Sequence, residues 1–348
     1  MKLRFRPFDL QFAHTWAVSS TIARGGKNTF GAVFTELEDD DGLIGYGETA
    51  PSVRYDETPD TVLRFLALVD ARRLRFDDIA ASMAYLDEVA PDNFAAKAAL
   101  NVALLDGAAK KAGQPVYDFL KLGFTEGRHL TSFSIGIDRR EMIEKKVRAA
   151  EEYPVLKIKT GGPDSVLSLR VVREIFPHKR VRADANEAWL TKEQALKEIE
   201  ALAEFGNIEF IEQPMPAEVP ADAWKWLRAR SPIPLFADES YRGADDLARC
   251  VDCFDGVNVK LVKTGGITGA LAALTAARRA GLKTMLGCMA ESSLSISAAA
   301  HLAELTDYLD LDGNLLITND PYRGVTTRDG ILSFASVEEP FGLRVRPA

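Results

Sequence analysis

The feature that most restricts the fold is an alternation of short apolar runs with longer amphipathic stretches, which starts near Thr131. The stretches between the runs, such as TKEQALKEIEALAEF, place apolar residues near positions i, i+3, i+4 and i+7, as amphipathic helices do. Strands that alternate with helices form parallel sheets, and eight strands in roughly 180 residues predict a closed α/β barrel rather than an open sheet. The eight strand-like runs are SFSIG from Ser132, VLKIK from Val155, VRADAN from Val181, FIEQP from Phe210, LFADES from Leu235, GVNVKLV from Gly256, TMLGCM from Thr284 and DYLDLD from Asp307.

The N-terminal part has a different pattern. Residues 1 to 55 contain strand-like runs, two of which are joined by the turn signal DDDG, and residues 57 to 115 are typical of helices. Strands followed by helices predict a separate α+β domain. We expect this domain to cover residues 1–118 and the barrel to cover 119–323. The segment 324–348 would complete the first domain, with strands around Ile331 and Leu343 that pair with its sheet.

Composition excludes several classes of protein. Lys and Arg number 43 and Asp and Glu 51, so the net charge of −8 disfavours binding to nucleic acid or to an anionic membrane through bulk charge. Three cysteines are too few for a disulfide framework or a four-thiolate zinc site, which favours a reducing, cytoplasmic location. The N-terminal residues do not resemble a signal peptide, and no run has the roughly 18 apolar residues of a membrane span.

Charged residues recur at the end of most predicted barrel strands. Because active sites of parallel barrels lie at the carboxyl ends of their strands, these residues are expected to share one mouth. From Lys159 to Lys260, the spacings of 22 to 28 residues between the charged residues of successive strands each correspond to one strand and one helix. Taken singly, an acid after a strand is more often a helix cap, but joint phasing over successive strands favours a site. The set contains Lys157, Lys159, Asp184, Asn186, Glu212, Asp238, Glu239, Lys260, Asp310 and Asp312.

Asp184, Glu212 and Asp238 are the predicted metal ligands. Three carboxylates on adjacent strands would repel one another without a cation between them. Mg²⁺ prefers oxygen ligands and leaves positions open for water or substrate, whereas the absence of His and Cys at these strand ends argues against zinc. All four histidines are expected to be structural or on the surface. Asn186 and Glu239 are expected to cap or orient the ligands from behind.

Lys159 and Lys260 are the predicted acid and base. Their strands lie before and after the three carboxylate strands, so a substrate on the metal would sit between two amines. Positive charge and burial both lower the pKa of a lysine, and Lys157 is expected to contribute to this effect next to Lys159. An acid and a base on opposite faces of one carbon suit a racemase or an epimerase. Asp310 and Asp312 share a face and suit a substrate ammonium group.

The motifs KIK, DAN, EQP, DES and NVKLVKTGG, at residues 157–159, 184–186, 212–214, 238–240 and 258–266, resemble the muconate-lactonizing subgroup of the enolase superfamily. The resemblance covers the whole chain, including GYGETA near the N-terminus. It implies a (β/α)7β barrel under an α+β capping domain, one Mg²⁺ per subunit and a 1,1-proton transfer. It also favours Lys260 over Lys263 as the base.

The DLD sequence at residues 310–312, followed by GNLL, resembles dipeptide epimerases, in which the two aspartates bind the α-ammonium group. The expected substrate is therefore an L-Ala-X dipeptide, with L-Ala-D/L-Glu from murein peptides as the leading choice for an acidic X. Arg24 is the candidate to bind that acid, with Lys27 as the other choice, and Ser134 is a further substrate-binding candidate. Trp16 keeps an apolar or broad preference open.

Other functions stay open at this point. A cycloisomerase, a dehydratase or an N-acylamino acid racemase of the same superfamily would keep the metal and the lysines but would have no ammonium for two inward carboxylates. A barrel that only binds ligands is disfavoured by the intact set of lysines and acids. No nucleic-acid or membrane partner is expected, and a homo-oligomer is compatible with the sequence.

Overall fold

The structure, a computed structural model, describes residues 1 to 348. The N-terminal part is an antiparallel three-stranded sheet covered by helices. Pro59 at the first position of the helix Pro59–Leu68 and the reciprocal hydrogen bonds of Thr58 and Thr61 explain where the first long helix begins. In chain order, the elements are β1 (Lys2–Trp16), α1 (Ser19–Ile22), β2 (Lys27–Glu38), β3 (Ile44–Thr49), α2 (Pro59–Leu68), α3 (Ile79–Val89), α4 (Phe94–Lys111) and α5 (Val116–Phe119).

Helix α4 packs directly on strand β3. A Cβ atom at Gly45 would lie 2.1 Å from the carbonyl oxygen of Ala103, and one at Gly47 would lie 2.0 Å from that of Ala99. No side chain fits in this space, which accounts for the two glycines of the GYGETA motif. The close contact fixes the helix on the sheet and closes a separate hydrophobic core of 16 buried residues.

Eight parallel strands follow, hydrogen-bonded to one another in chain order. Thr131 bridges Leu309 in parallel and the amide of Ser132 donates to the Leu309 carbonyl, so the last strand lies beside the first. The predicted (β/α)7β barrel with its α+β capping domain is confirmed. Its strands are β4 (Phe133–Ile135), β5 (Val155–Lys159), β6 (Arg180–Asp184), β7 (Ile208–Glu212), β8 (Leu235–Ala237), β9 (Gly256–Val259), β10 (Lys283–Gly287) and β11 (Tyr308–Asp310).

Seven crossovers connect these strands, and the crossover between β9 and β10 contains two helices, Leu261–Thr264 and Ile267–Arg279. No α-helix follows β11, where the chain instead forms the 3₁₀ turn Gly313–Leu316. The crossover helices are α6 (Arg140–Ala149), α7 (Leu167–Ile175), α8 (Lys192–Ala203), α9 (Ala221–Arg228), α10 (Leu247–Cys250), α11 (Leu261–Thr264), α12 (Ile267–Arg279) and α13 (Ser293–Ala300).

Side chains inside the barrel form layers with the period of two that strands impose. Phe210 and Phe236 stack with ring centroids 4.0 Å apart, and the guanidinium of Arg182 donates to the Leu309 carbonyl. Each of these three residues lies two positions before an acid of the predicted metal site, so the acids form the next layer toward the mouth. The aromatic layer closes the barrel beneath them.

The C-terminal segment contains β12 (Tyr322–Arg323), β13 (Thr326–Arg328), β14 (Ile331–Ser333) and β15 (Arg346–Pro347). The prediction that strands around Ile331 and Leu343 pair with the capping sheet is wrong, because that sheet holds only β1, β2 and β3. Ile331 instead pairs with Arg328 and bridges Leu130, while at Leu343 the buried carboxylate of Asp106 lies between the tail and the sheet. This carboxylate accepts the amide of Tyr46 at the sheet edge with one oxygen and the amide of Leu343 with the other. A side chain of α4 thus separates the sheet edge from the tail.

None of the helices combines the length and the apolar character that crossing a bilayer requires.

Candidate active site

Asp184, Glu212 and Asp238 lie together at the carboxyl ends of β6, β7 and β8. All three are fully buried, and carboxylate oxygens of the three residues lie within 4.8 Å of one another. The group could therefore hold one metal ion. Glu212 Oε2 makes no hydrogen bond, although the ammonium of Lys157 lies 2.8 Å from it. An all-oxygen ligand set with an unshared carboxylate lone pair fits a hard divalent cation such as Mg²⁺.

Two lysines contact this cluster from different strands. Lys159 Nζ lies 2.6 Å from Asp184 Oδ2, and Lys260 Nζ lies 2.7 Å from Asp238 Oδ2. Both line the cavity above the cluster. Burial has the largest single effect on the pKa of Lys260 and lowers it, but the charges of Asp238, Tyr55 and Glu212 together hold the pKa well above its usual value. This differs from the expected lowering, since the sequence argument counted positive neighbours and burial but not a carboxylate in direct contact.

Lys157 is a counter-ion inside the acidic layer. Its ammonium lies 2.7 Å from Asp310 Oδ2, 2.8 Å from Glu212 Oε2 and 3.1 Å from Asp184 Oδ2, and the residue is 2% exposed. Burial opposes its charge, but these three carboxylates raise its pKa well above the usual value. Lys157 therefore compensates buried negative charge, although it also reaches the wall of the cavity.

Asp310 and Asp312 are both buried but have different partners. Asp310 pairs with Lys157 and accepts a hydrogen bond from Ser132 Oγ. Asp312 Oδ2 accepts the amide of Ser134, and no cationic side chain lies within ion-pair distance of it. Burial and the charge of Asp310 raise the pKa of Asp312 to about 7. Asp312 is thus a buried acid that lacks a cation.

Buried polar groups hold the loop of Asp238 in place. Gln213 Oε1 accepts the amides of Asp238 and Ser240, and Lys263 Nζ donates to both Oδ1 and the carbonyl oxygen of Asp238. Asn258 donates from Nδ2 to Glu212 Oε1. Lys263, the alternative to Lys260 as base, is fully enclosed by these contacts and does not line the cavity.

Comparison with known proteins agrees with this geometry. The N-terminal domain of mandelate racemase and muconate lactonizing enzyme matches residues 11–121, and the enolase C-terminal domain-like family matches residues 140–322. The chain belongs to the mandelate racemase and muconate lactonizing enzyme family. The predicted resemblance to the enolase superfamily is therefore confirmed.

Three relatives of this family member are informative. An L-Ala-D/L-amino acid epimerase of Pedosphaera parvula is 58% identical over 99% of both chains. An L-Ala-D/L-Glu epimerase of Bacteroides thetaiotaomicron is 36% identical over 95% of this chain and 84% of its own. The crystal structure of a dipeptide epimerase from Cytophaga hutchinsonii, in complex with Mg and D-Ala-L-Val, superposes with a TM-score of 0.90 at 28% identity. That match covers 99% of this chain and 95% of the other.

In this family member, a cavity of about 260 Å³ lies between the barrel mouth and the capping domain. The structure places Ser134, Lys157, Lys159, Asn186, Glu239, Lys260, Asp310 and Asp312 in its wall. Asn186 Oδ1 and Glu239 Oε2 are buried there without hydrogen-bond partners. Arg24 is exposed and does not line the cavity, whereas Lys27 does.

Sequence reasoning did not find most of the capping-domain wall. The sequence indicates Trp16 and Lys27, but it indicates neither Phe12, which stacks on Trp16 at 5.9 Å, nor the stretch Val53–Tyr55. Only the alternation within β1 could have indicated that Phe12 and Trp16 share a face. No sequence signal marks residues 53–55, because a short 3₁₀ turn has no periodic pattern.

Proposed function

We propose that the protein is a Mg²⁺-dependent dipeptide epimerase that moves the α-proton of the second residue of an L-Ala-X dipeptide through an enolate intermediate. The observation that carries the proposal is Asp312, a buried carboxylate without a cation, which lines the same cavity as Lys159 and Lys260. These two lysines in turn contact the three-carboxylate cluster. The names of the Pedosphaera and Cytophaga relatives support the same reaction and substrate class.

Asp184, Glu212 and Asp238 would hold the Mg²⁺, which supplies positive charge to stabilise the enolate formed when the α-proton leaves. Lys159 and Lys260 would exchange the proton on opposite faces of the α-carbon. Their ammonium groups touch different carboxylates of the cluster, so each one is held in place before the substrate arrives. Asn186 would hold Asp184 through its backbone amide, whereas the Glu239 carboxylate makes no hydrogen bond to the ligands and lines the cavity.

Asp312 would bind the α-ammonium group of the dipeptide. Asp310 is already paired with Lys157, so its role would be to hold that lysine and to place a second negative charge near Asp312. Ser134 would contribute by orienting the Asp312 carboxylate through its amide. An N-acylamino acid, a muconate or a dehydratase substrate has no ammonium group and would leave Asp312 uncompensated, which disfavours those alternatives.

The side chain of the second residue would lie against the capping domain. The apolar part of this wall contains Phe12, Trp16 and Phe30. Lys27 also lines it, and its ammonium group lies over the Phe30 ring and has no carboxylate partner. Arg54 is paired with Glu187 and Glu218. We therefore propose a broad preference that covers apolar residues and L-Ala-D/L-Glu from murein peptides, with Lys27 rather than Arg24 near an acidic side chain.

The test is exchange of the α-hydrogen with D₂O, followed by NMR and mass spectrometry, on a panel of L-Ala-X dipeptides with Mg²⁺. Deuterium is expected at the second residue for L-Ala-L-Glu and for apolar X, together with the D-epimer. N-acetylated versions of the same dipeptides serve as controls and should react far more slowly. Absence of exchange across the whole panel would overturn the proposal.

We also propose the domain division 1–118 plus 324–348 and 119–323. Its boundaries lie within a few residues of the end of the N-terminal family match at residue 121 and of the C-terminal match at residue 322. We propose a cytoplasmic location because the cysteines form no disulfide. All three are free, and two of them are buried, as is typical of a reducing compartment.

A further inference from the structure

The turn Asn186–Glu187 directly follows the proposed metal ligand Asp184 and has an unusual backbone. Both residues have positive φ angles, 44° and 64°, a region that side chains other than glycine rarely occupy. The amide of Asn186 donates to Asp184 Oδ1, and the amide of Glu187 donates to the carbonyl of Gln213. The strained turn is thus fixed to one metal ligand and to the residue that follows another.

Two segments of the capping domain reach this same turn. Ser19 Oγ donates to the Asn186 carbonyl at 2.9 Å. Arg54 binds Glu187 with both arms of its guanidinium, Nε to Oε2 at 2.5 Å and Nη2 to Oε1 at 2.7 Å. The amide of Ala217 also donates to Glu187 Oε1, so the Glu187 carboxylate is held from the barrel side as well. A bidentate pair of this kind fixes both distance and orientation.

Arg54 lies in the middle of the 3₁₀ turn Val53–Tyr55, and all three residues of this turn line the cavity. Val53 is 72% exposed and contributes little packing, whereas Tyr55 is partly buried, with the Arg242 guanidinium 5.4 Å from its ring. The Arg54–Glu187 pair is the strongest polar link between the turn and the barrel, since the other partner of Arg54, Glu218, is 71% exposed. The position of the turn therefore depends on the orientation of Glu187.

We propose that Arg54 is a positioning residue whose bidentate pair with Glu187 couples closure of the turn Val53–Tyr55 over the cavity to metal binding at Asp184. The path runs from Asp184 Oδ1 through the backbone of Asn186 and Glu187 to the Arg54 guanidinium, with Ser19 as a parallel link. Coupling of this kind is reciprocal. A bound metal holds the turn closed, and the closed turn strengthens metal binding.

The first test uses Mg²⁺ alone, so it does not depend on the proposed dipeptide reaction. Hydrogen exchange of residues 52–56 is followed by mass spectrometry with and without Mg²⁺, and Mg²⁺ affinity is measured by calorimetry. In the unaltered protein, Mg²⁺ should slow exchange of this segment. In Arg54→Met and Glu187→Gln, the slowing should be lost and Mg²⁺ affinity should fall about three- to tenfold. The matched control Glu218→Gln, which removes the exposed partner only, should behave as the unaltered protein.

The second test uses the dipeptide reaction, and in this part the inference rests on the proposed function. Arg54→Met is expected to raise KM tenfold or more with a smaller change in kcat, because the altered group touches no reacting atom. Arg54→Lys should recover part of the loss, and the double variant Arg54→Met/Glu187→Gln should be no worse than either single variant.

If Mg²⁺ slows exchange of residues 52–56 equally in all variants, or if Glu218→Gln is as damaging as Arg54→Met, the inference is wrong. If Arg54→Met does not fold, Arg54→Lys and Glu187→Gln decide the question by the same readouts. Absence of dipeptide turnover in every protein would refute only the proposed reaction.

Discussion

Replacing Asp312 with Asn should separate the recognition of a free ammonium group from the chemistry of proton transfer. Asp312 is 3% exposed, accepts the Ser134 amide at 2.6 Å and has no cationic partner in the protein. The substrate ammonium would therefore be its only countercharge. Truncating one partner of a buried charge pair costs about 2–5 kcal/mol, which corresponds to a fall of about 30- to 5,000-fold in kcat/KM for L-Ala-X.

The assay compares each dipeptide with its N-acetylated form. Asp312→Asn should lower kcat/KM for the dipeptide while leaving the slow N-acetyl reaction nearly unchanged. Asp310→Asn, the matched control, removes a partner of Lys157 and should affect both substrates alike. A dipeptide kcat/KM within threefold of the unaltered enzyme, or equal losses on both substrates in Asp312→Asn, would refute the reasoning.

Asp312→Asn should be more stable than the unaltered protein at alkaline pH. Burial, followed by the charge of Asp310, raises the pKa of Asp312 from 3.8 to about 7. The folded state thus holds this proton more tightly than the unfolded state, so the stability of the unaltered protein falls as pH rises from about 4 to 7, by up to about 1.4 kcal/mol per pH unit. Asn cannot titrate, so thermal unfolding at pH 8 should show a higher Tm for Asp312→Asn. At pH 4 the difference should vanish.

The remaining predictions concern the lysines, the specificity pocket and the metal. Lys159→Ala and Lys260→Ala should each lower epimerisation at least about 100-fold, the typical contribution of a general acid or base, as measured by polarimetry; full activity in either would contradict its role. Lys27→Met should lower kcat/KM for L-Ala-L-Glu about two- to fivefold but not for L-Ala-L-Leu, since an exposed ion pair contributes up to about 1 kcal/mol. Arg24→Met is the control and should leave both substrates unaffected. Mg²⁺ at 100 times its dissociation constant should stabilise the protein by about 2.7 kcal/mol, and Asp184→Asn should abolish that gain in calorimetric unfolding.

Most of the site could be predicted because barrel geometry turns sequence spacing into position. Each strand and helix unit returns the chain to the same mouth, so charged residues placed 22 to 28 positions apart must meet there. The period of two within a strand likewise assigned Lys157 and Lys159 to one side. The carboxylates of Asp184, Glu212 and Asp238 lie together as this reasoning requires.

The parts that sequence reasoning missed depend on contacts between distant segments. Arg24 and Lys27 are three residues apart in one loop, and nothing in their order shows that only Lys27 faces the cavity. The pairing of Arg54 with Glu187 spans 133 residues and two structural units. Neither interaction has a periodic signature, because each arises where a loop of the capping domain meets a turn of the barrel.

The sequence by itself determined the barrel, its capping domain and the meeting of three acids and two lysines at one mouth, since these follow from local periodicity and from the handedness and spacing of β-α units. Only the tertiary structure decided which charges neutralise one another. Lys157 is enclosed by Asp184, Glu212 and Asp310, and Asp312 is left without a cation. The physical reason is that ion pairing in a buried layer depends on distances of 2.7 to 3.1 Å between side chains from different strands, which strand order alone does not specify.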